Sequence, residues 1–362
     1  MIKQTSLYQQ HLASSAKMVD FAGYEMPISY QSAKNEHMAI RNNCGMFDVS
    51  HMGEFLVEGN EAVELVQYVT SNNAKNLQPG EVQYSCLPTE NGGIVDDLLV
   101  YCLNEKLYLL VVNASNIQKD FDWISSHNKF DASLNNVSDE WSLIAVQGPN
   151  AEHILQKHTN TKLSDIKYYN FVTGNIAAAQ EVIISATGYT GERGFELYIK
   201  NKYAAQVWEL LLKDGVEPCG LAARDTLRLE MGYALYGNDV NENTSPLEAG
   251  LSWITKLKTA DDFVGKTFLK VQKAAGIQRK LIGFKMVEKG IPRKDYEILN
   301  DAKAVVGRTT SGTQSPVLNM GIGLAYIIDL SLKTGDKIFI NIRNKPVEAV
   351  ITKLPFVTGT SL

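Results

Sequence analysis

Apolar residues recur along this chain at two spacings, and the switches between them mark its elements. Residues 7–45 read as short helices and loops, with a helix at 36–41 that Gly45 ends. Residues 46–57 alternate loosely and are rich in β-formers, so they predict a strand closed by Gly59-Asn60. Ala62, Leu65, Val66 and Val69 lie at helical spacing and predict a helix over 61–70. Runs at 94–103 and 107–112, separated by Asn104-Glu105-Lys106, predict a β-hairpin, with Asn91-Gly92-Gly93 punctuating the chain before it. A helical stretch carrying Ile117, Phe121, Trp123 and Ile124 follows, then a strand at 143–146 and a helix with Ala151, Ile154 and Leu155. Strands at 176–186 and 195–199 precede helices at 204–212 and 220–231, the second stopped by Gly232. From about Lys280 only short β-rich runs remain, at 281–286, 304–310, 321–328, 337–342 and 347–352, which predict a separate all-β unit, a small barrel or sandwich. The mixture before it is α+β patterning, without regular βαβ alternation.

Composition narrows the function classes. A chain of 362 residues predicts two to three domains at about 150 residues each. With 44% apolar and 21% charged residues it has ordinary globular usage. Its net charge of −5 offers no footprint for a polyanion, which argues against nucleic acid as the main ligand. Cys44, Cys86, Cys102 and Cys219 are far apart and form no C-x-x-C pair, so a zinc ribbon, a disulfide framework and a redox pair are poorly supported. The six histidines show no paired metal spacing, and no metal is implied. The first residues lack an export signal, and no stretch approaches the roughly 20 apolar residues of a membrane span. The expectation is a cytoplasmic protein.

Three segments break their local pattern. In Gly92-Gly93-Ile94-Val95-Asp96-Asp97-Leu98-Leu99 two carboxylates interrupt a strand that otherwise reads as buried. Their side chains point to opposite faces, so at least one meets solvent or a pocket; a basic partner or a bulge exposing both would satisfy them as well. In Thr187-Gly188-Tyr189-Thr190-Gly191-Glu192-Arg193-Gly194-Phe195-Glu196-Leu197, a tight turn feeding a strand explains the glycines but leaves Glu196 over. An acceptor-only carboxylate there suits a ligand presenting N–H donors, and a surface-facing strand residue is the competing reading. In Leu221-Ala222-Ala223-Arg224-Asp225-Thr226-Leu227-Arg228, helical spacing puts two arginines on one face. Asp225 is placed to pair with Arg228, which leaves Arg224 as the ligand candidate. The string Asp48-Val49-Ser50-His51 superficially suggests a hydrolase triad, but strand neighbours diverge and no G-x-S-x-G elbow exists.

Taken in order, Met46-Phe47-Asp48-Val49-Ser50-His51-Met52-Gly53-Glu54, Gly92-Gly93-Ile94-Val95-Asp96-Asp97, Val146-Gln147-Gly148-Pro149, Thr187-Gly188-Tyr189-Thr190-Gly191-Glu192 and Leu221-Ala222-Ala223-Arg224-Asp225 resemble the aminomethyltransferase, or T-protein, family of the glycine cleavage system. The resemblance continues through Tyr236-Gly237-Asn238-Asp239, Ser245-Pro246-Leu247-Glu248-Ala249-Gly250 and Thr310-Ser311-Gly312-Thr313-Gln314-Ser315-Pro316 and is essentially full length. It implies a three-domain, cloverleaf-like α+β arrangement around a central folate channel, with a C-terminal jelly-roll-like β-barrel. The domains expected are 1–53 with 140–275 as a discontinuous folate-binding unit, 54–139 carrying the Gly-Gly-x-x-Asp-Asp hairpin, and 276–362 as the barrel.

The resemblance further implies transfer of the methylene of an aminomethyl group, carried on the dihydrolipoyl arm of the H-protein, to tetrahydrofolate with release of ammonia. Loss of the thiolate leaves an electron-poor iminium carbon, which a folate nitrogen must meet in the right orientation. By position in the family's motifs Asp97 is the catalytic carboxylate, orienting folate nitrogens and stabilising the positive charge. Glu196 is expected to accept pterin N–H groups, with Tyr189 nearby and Arg224 in the folate site. Met52, Tyr84, Val111, Asn113 and Trp253 are expected to line the pocket. Arg193 departs from the family, which usually has an acidic residue after Gly-Glu. Two other readings use the same pocket: a folate-dependent demethylase of a small methylated donor, and a non-enzymatic folate-binding maintenance factor for iron–sulfur proteins. Relatives of the second kind carry a cysteine in the loop where this chain has Tyr189-Thr190.

Overall fold

The computed structural model describes residues 2–361. The chain opens with α1 (Tyr8–Ala13), then pairs β1 (Lys17–Phe21) with β2 (Tyr24–Ser29), and continues through α2 (Ala33–Asn42), β3 (Gly45–Asp48), β4 (Gly53–Glu58) and α3 (Ala62–Val69). Next come β5 (Val82–Pro88), β6 (Ile94–Asn104), β7 (Leu107–Val112), α4 (Ile117–His127) and β8 (Ser133–Asn136). The chain then runs through β9 (Trp141–Gln147), α5 (Ala151–Leu155), β10 (Phe171–Ile176), β11 (Ala179–Ser185), β12 (Gly194–Lys200), α6 (Asn201–Lys213), β13 (Glu217–Pro218), α7 (Leu221–Glu230) and α8 (Lys266–Ala275). Six strands end it: β14 (Lys280–Met286), β15 (Glu297–Leu299), β16 (Val305–Ser315), β17 (Met320–Ile327), β18 (Lys337–Ile342) and β19 (Lys345–Thr352).

These strands form a six-stranded sheet in the order β10-β11-β12-β9-β3-β13, a five-stranded sheet in the order β5-β6-β7-β4-β8, and a closed barrel of β14-β17-β16-β15-β18-β19. The barrel closes antiparallel throughout and abolishes its own edges, with Phe284, Ile298, Ile338 and Ile340 filling the inside. Phe47, Leu143, Ala145 and Tyr198 of the first sheet pack against Val82, Tyr101, Leu109 and Val111 of the second. Each large apolar side chain buried there contributes about 1.5–3 kcal/mol to holding the sheets together. Helix α7 joins all three units. Ala223 and Leu227 enter the core shared by the sheets, and Leu229 packs with Ile322, Leu324 and Phe356 against the barrel.

Several local expectations are corrected. The run at 46–57 is two strands in two different sheets, because Asp48 accepts the Ser50 backbone N–H at 2.9 Å and turns the chain at 49–52. Gly45 opens β3 and does not end the helix, which stops at Asn42. The stretch read as helices and loops contains the β1–β2 hairpin, turned at Ala22 and Gly23 with φ of +52° and +80°, as a two-residue hairpin turn demands. The strand expected at 176–186 is the end of β10 and all of β11, joined by Ala177-Ala178 with none of the usual turn residues. Strand β5, which carries Tyr84, had no separate signal.

Candidate active site

Strand β6 begins where it does because of its two glycines. Gly92 takes φ +74°, and a Cβ on Gly93 would lie 1.9 Å from the carbonyl oxygen of Glu242, so the chain passes against residues 241–242 only without side chains. The Ile94 N–H donates to Asn241 O at 3.1 Å and locks that approach. Two residues on, Asp96 and Asp97 face opposite ways, paired with Leu87 and Cys86 of β5.

Asp96 is fully buried and accepts from the Asn113 backbone N–H at 2.9 Å, the Asn113 Nδ2 at 2.8 Å and the Asn116 Nδ2 at 2.7 Å. Asp97 is half-buried. It accepts from the Tyr84 hydroxyl at 2.8 Å and from the same Asn113 Nδ2 at 3.1 Å, so one amide bridges both carboxylates. No lysine or arginine is paired with either among the described residues. Burial, and then the charge of Asp96, push the Asp97 carboxyl up to about 7, against the pull of the Tyr84 and Asn113 bonds.

Glu196 stands on β12, opposite Ser185 of β11 and Ala145 of β9. The Thr187 hydroxyl donates to its Oε2 at 2.5 Å, and Oε1 has no protein donor among the described residues. Behind Thr187 runs a chain of hydroxyls, with Ser185 at 2.9 Å from Thr187 and Tyr101 at 2.8 Å from Tyr198. Burial raises the Glu196 carboxyl, and Thr187 and Arg224 oppose the rise.

On α7 the two arginines part company. Arg228 is buried and donates to Asp225 at 2.8 Å, Asp239 at 2.8 Å and Ser311 at 2.9 Å, tying the helix to the barrel. The expected Asp225 pairing is therefore one arm of a structural network. Arg224 makes no such pair among the described residues; its guanidinium lies 4.5 Å above the Tyr189 ring. Tyr189 in turn stacks on Tyr233 at 5.7 Å and donates its hydroxyl to Ala234 O.

The remaining positions fall into two groups. Tyr84, Asp97 and Asn113 are directly bonded, and Trp253, largely exposed, lies with its ring centroid 6.1 Å from that of Tyr84. Met52 and Val111 belong to the core between the two sheets, Val111 fully within it and Met52 at its edge. Tyr169, unremarked in the sequence, feels the charge of both Glu196 and Asp97. It also lines a cavity of about 340 Å³ with Glu81, Gln83 and Tyr168, whose lining does not include Asp97. Asn116, which precedes α4, and Asp120, one helical turn on, were missed as well, although their spacing turns both towards Asp96.

The Asp48-Ser50-His51 string assembles no triad. Asp48 bonds His11 at 2.8 Å and Thr5 at 2.7 Å, the Ser50 hydroxyl meets the Leu143 backbone, and buried His51 packs edge-on to Phe21 with an unbonded Nδ1. Arg193 pairs with Glu152 at 2.6 Å on the surface. All four cysteines are buried and free, and among the described residues no helix is long and apolar enough to cross a membrane.

Residues 7–259 match the GCVT N-terminal domain, and residues 279–358 match the glycine cleavage T-protein C-terminal barrel domain. The chain belongs to the glycine cleavage T-protein family. It is 50% identical to the aminomethyltransferase of Phocaeicola vulgatus over 359 residues, covering 98% of this chain and 99% of that one. With the aminomethyltransferase of Thermosipho melanesiensis it shares 51% over 361 residues, 99% of this chain and 98% of the other. The crystal structure of the glycine cleavage system aminomethyltransferase T from Bartonella henselae superposes with a TM-score of 0.94 at 32% identity, covering 99% of both chains. Aminomethyl transfer in glycine cleavage is thus the activity of this T-protein chain, and its α+β architecture with a terminal barrel is the family's.

Proposed function

We propose that the acceptor is tetrahydrofolate, that the donor is the aminomethyl-dihydrolipoyl group of a lipoylated H-protein, and that Asp97 is the reacting carboxylate. The residues fit a reduced pterin. Among the described residues Glu196 has an open Oε1 for N–H donors and Arg224 has no carboxylate bonded to it, and Tyr84, Tyr169 and Tyr189 supply flat apolar faces. Tetrahydrofolate, when bound, supplies the nucleophilic nitrogen that takes the carbon.

The observation that carries this reading is Asp97 itself. It is a carboxylate without a paired cation among the described residues, held from two sides by Tyr84 and Asn113 in a half-buried site. Such a group is stabilised as an anion by whatever positive charge arrives beside it, and fixed donors spare it reorganisation as that happens. With its carboxyl near 7, both charge states are within reach at neutral pH, so it can hold a proton or release one. The serial bonds Tyr84–Asp97–Asn113 orient it, and Glu196 with Arg224 would fix the ring end of the acceptor.

The test is ammonia release and methylenetetrahydrofolate formation from purified protein, tetrahydrofolate and aminomethyl-loaded H-protein, with a folate-free control. Turnover that requires both partners supports the proposal. Tight folate binding without turnover moves the function to another donor.

A further inference from the structure

Behind the site lies a carboxyl that the scheme above does not use. Asp120 of α4 is fully buried, and neither of its oxygens meets a protein N–H or O–H donor among the described residues. Asn116, four residues before it and so one helical turn away, donates to Asp96 at 2.7 Å, which places the Asp120 carboxyl against Asp96. Two carboxyl groups in such contact hold together only through a shared proton, because two anions in a low dielectric repel. Asp96 already accepts three N–H donors from Asn113 and Asn116. It is therefore the partner stabilised as the anion, and Asp120 the one that keeps the proton.

We propose that Asp120 is a positioning residue for aminomethyl transfer: as a neutral acid it donates its proton to Asp96, keeps Asp96 ionised, and through the Asn113 amide shared by both strand carboxylates sets the charge and orientation of Asp97. The inference rests on Asp97 as the reacting carboxylate. The groups facing Asp120 are Asp96 and Asp97 from β6, Lys119 from its own helix, and Tyr236 from the segment after α7. The Lys119 ammonium is bonded to Val95 O at 2.7 Å, the Tyr236 hydroxyl at 2.8 Å and Glu242 at 3.4 Å, and its charge opposes the rise of the Asp120 carboxyl without reversing it. Burial and the Asp96 charge hold the Asp120 carboxyl up at about 11, in keeping with a proton retained at neutral pH.

The distinction from a merely structural role lies in the pH profile. Asp120→Ala removes the fourth donor to Asp96, so Asp96 takes up a proton and its repulsion of Asp97 relaxes. The rising limb of kcat/KM then moves towards acid by about one pH unit. Asp120→Asn still donates to Asp96 and is neutral, so it returns the limb to the wild-type position. Infrared difference spectra at pH 8, wild type against Asp120→Asn, should show the loss of one protonated-carboxyl carbonyl band. Other buried acids such as Glu54 cancel in that subtraction. A limb that stays in place in Asp120→Ala, or an Asn variant that matches Ala, overturns the proposal. So does an unchanged infrared band, which decides the matter even if Asp120→Ala fails to fold. Undiminished turnover in Asp97→Asn would instead sink the reading of Asp97, while the infrared band still reports on Asp120.

Discussion

On β6 and α4 three carboxyls, Asp96, Asp97 and Asp120, crowd together; on α7 two guanidiniums, Arg224 and Arg228, lie one turn apart. Both clusters concentrate like charge in a low-dielectric interior, and the molecule relieves them by different means. The arginines cannot lose a proton, so one of them is given counter-ions, Asp225 and Asp239, and the other is left over a tyrosine face. The carboxyls can be protonated, so Asp96 and Asp97 receive amide and hydroxyl donors and, among the described residues, no paired cation. In each cluster the deeper members are fully committed, Arg228 to the barrel and Asp96 to Asn113 and Asn116. The shallower member, Arg224 or Asp97, is the one the proposed function assigns to the ligand. On that reading, binding and chemistry are drawn from the residue whose neighbours have already met the demands of burial.

The comparison breaks most sharply at Asp97. Asp97→Asn keeps shape and hydrogen bonding but removes the charge, and kcat for transfer should fall about 10³-fold. Circular dichroism and tetrahydrofolate affinity should stay near wild type, and wild-type turnover would end the assignment. Next are the two arginines. Arg228→Met strands the buried Asp239 and should lower unfolding stability by about 3–5 kcal/mol in urea titrations. Arg224→Met should change stability by under about 1 kcal/mol while weakening folate binding. Equal destabilisation by both would erase the distinction between committed and spare guanidinium.

Glu196→Ala should weaken tetrahydrofolate binding about 10- to 100-fold, the worth of hydrogen bonds to a charged group, as read by calorimetry. The smallest effect is on pH. Wild-type kcat/KM should rise with pH through about 7 as Asp97 ionises. Because the folded carboxyl lies above its ordinary value, the native state holds the proton longer than the unfolded chain does. Its contribution to stability is therefore full below the usual carboxylate range and is lost as pH climbs towards about 7. Urea midpoints at pH 5 and 8 should show that decline in wild type, and Asp97→Asn should flatten it.

Legibility followed the kind of signal each feature leaves. The β6–β7 hairpin, α3, α6 and α7 announce themselves by periodicity, and the barrel by short runs between turn residues. The β3–β4 break does not, since Asp48 turns the chain through its own side chain inside a hydrophobic run. The alanine turn between β10 and β11 is equally silent. In the site, Asp96, Asp97 and Glu196 stood out as charges inside strands, and Arg224 by sharing a helix face with Arg228. Tyr169, Asn116 and Asp120 did not, because a tyrosine, an asparagine or an aspartate on a loop or a mixed helix breaks no pattern.

By itself the amino-acid sequence determined the mixed α+β order, the terminal β-unit, the glycine-led entry into β6 and the set of residues whose charge needed explaining. Those are local matters of spacing, backbone freedom and hydrophobic period. Only the tertiary structure decided which carboxyl lies against which, that Asn113 ties Asp96 to Asp97, and that Arg228 is spoken for while Arg224 has no paired carboxylate among the described residues. Charge state and partnership depend on burial and on distances between residues far apart in the chain, and linear spacing carries neither.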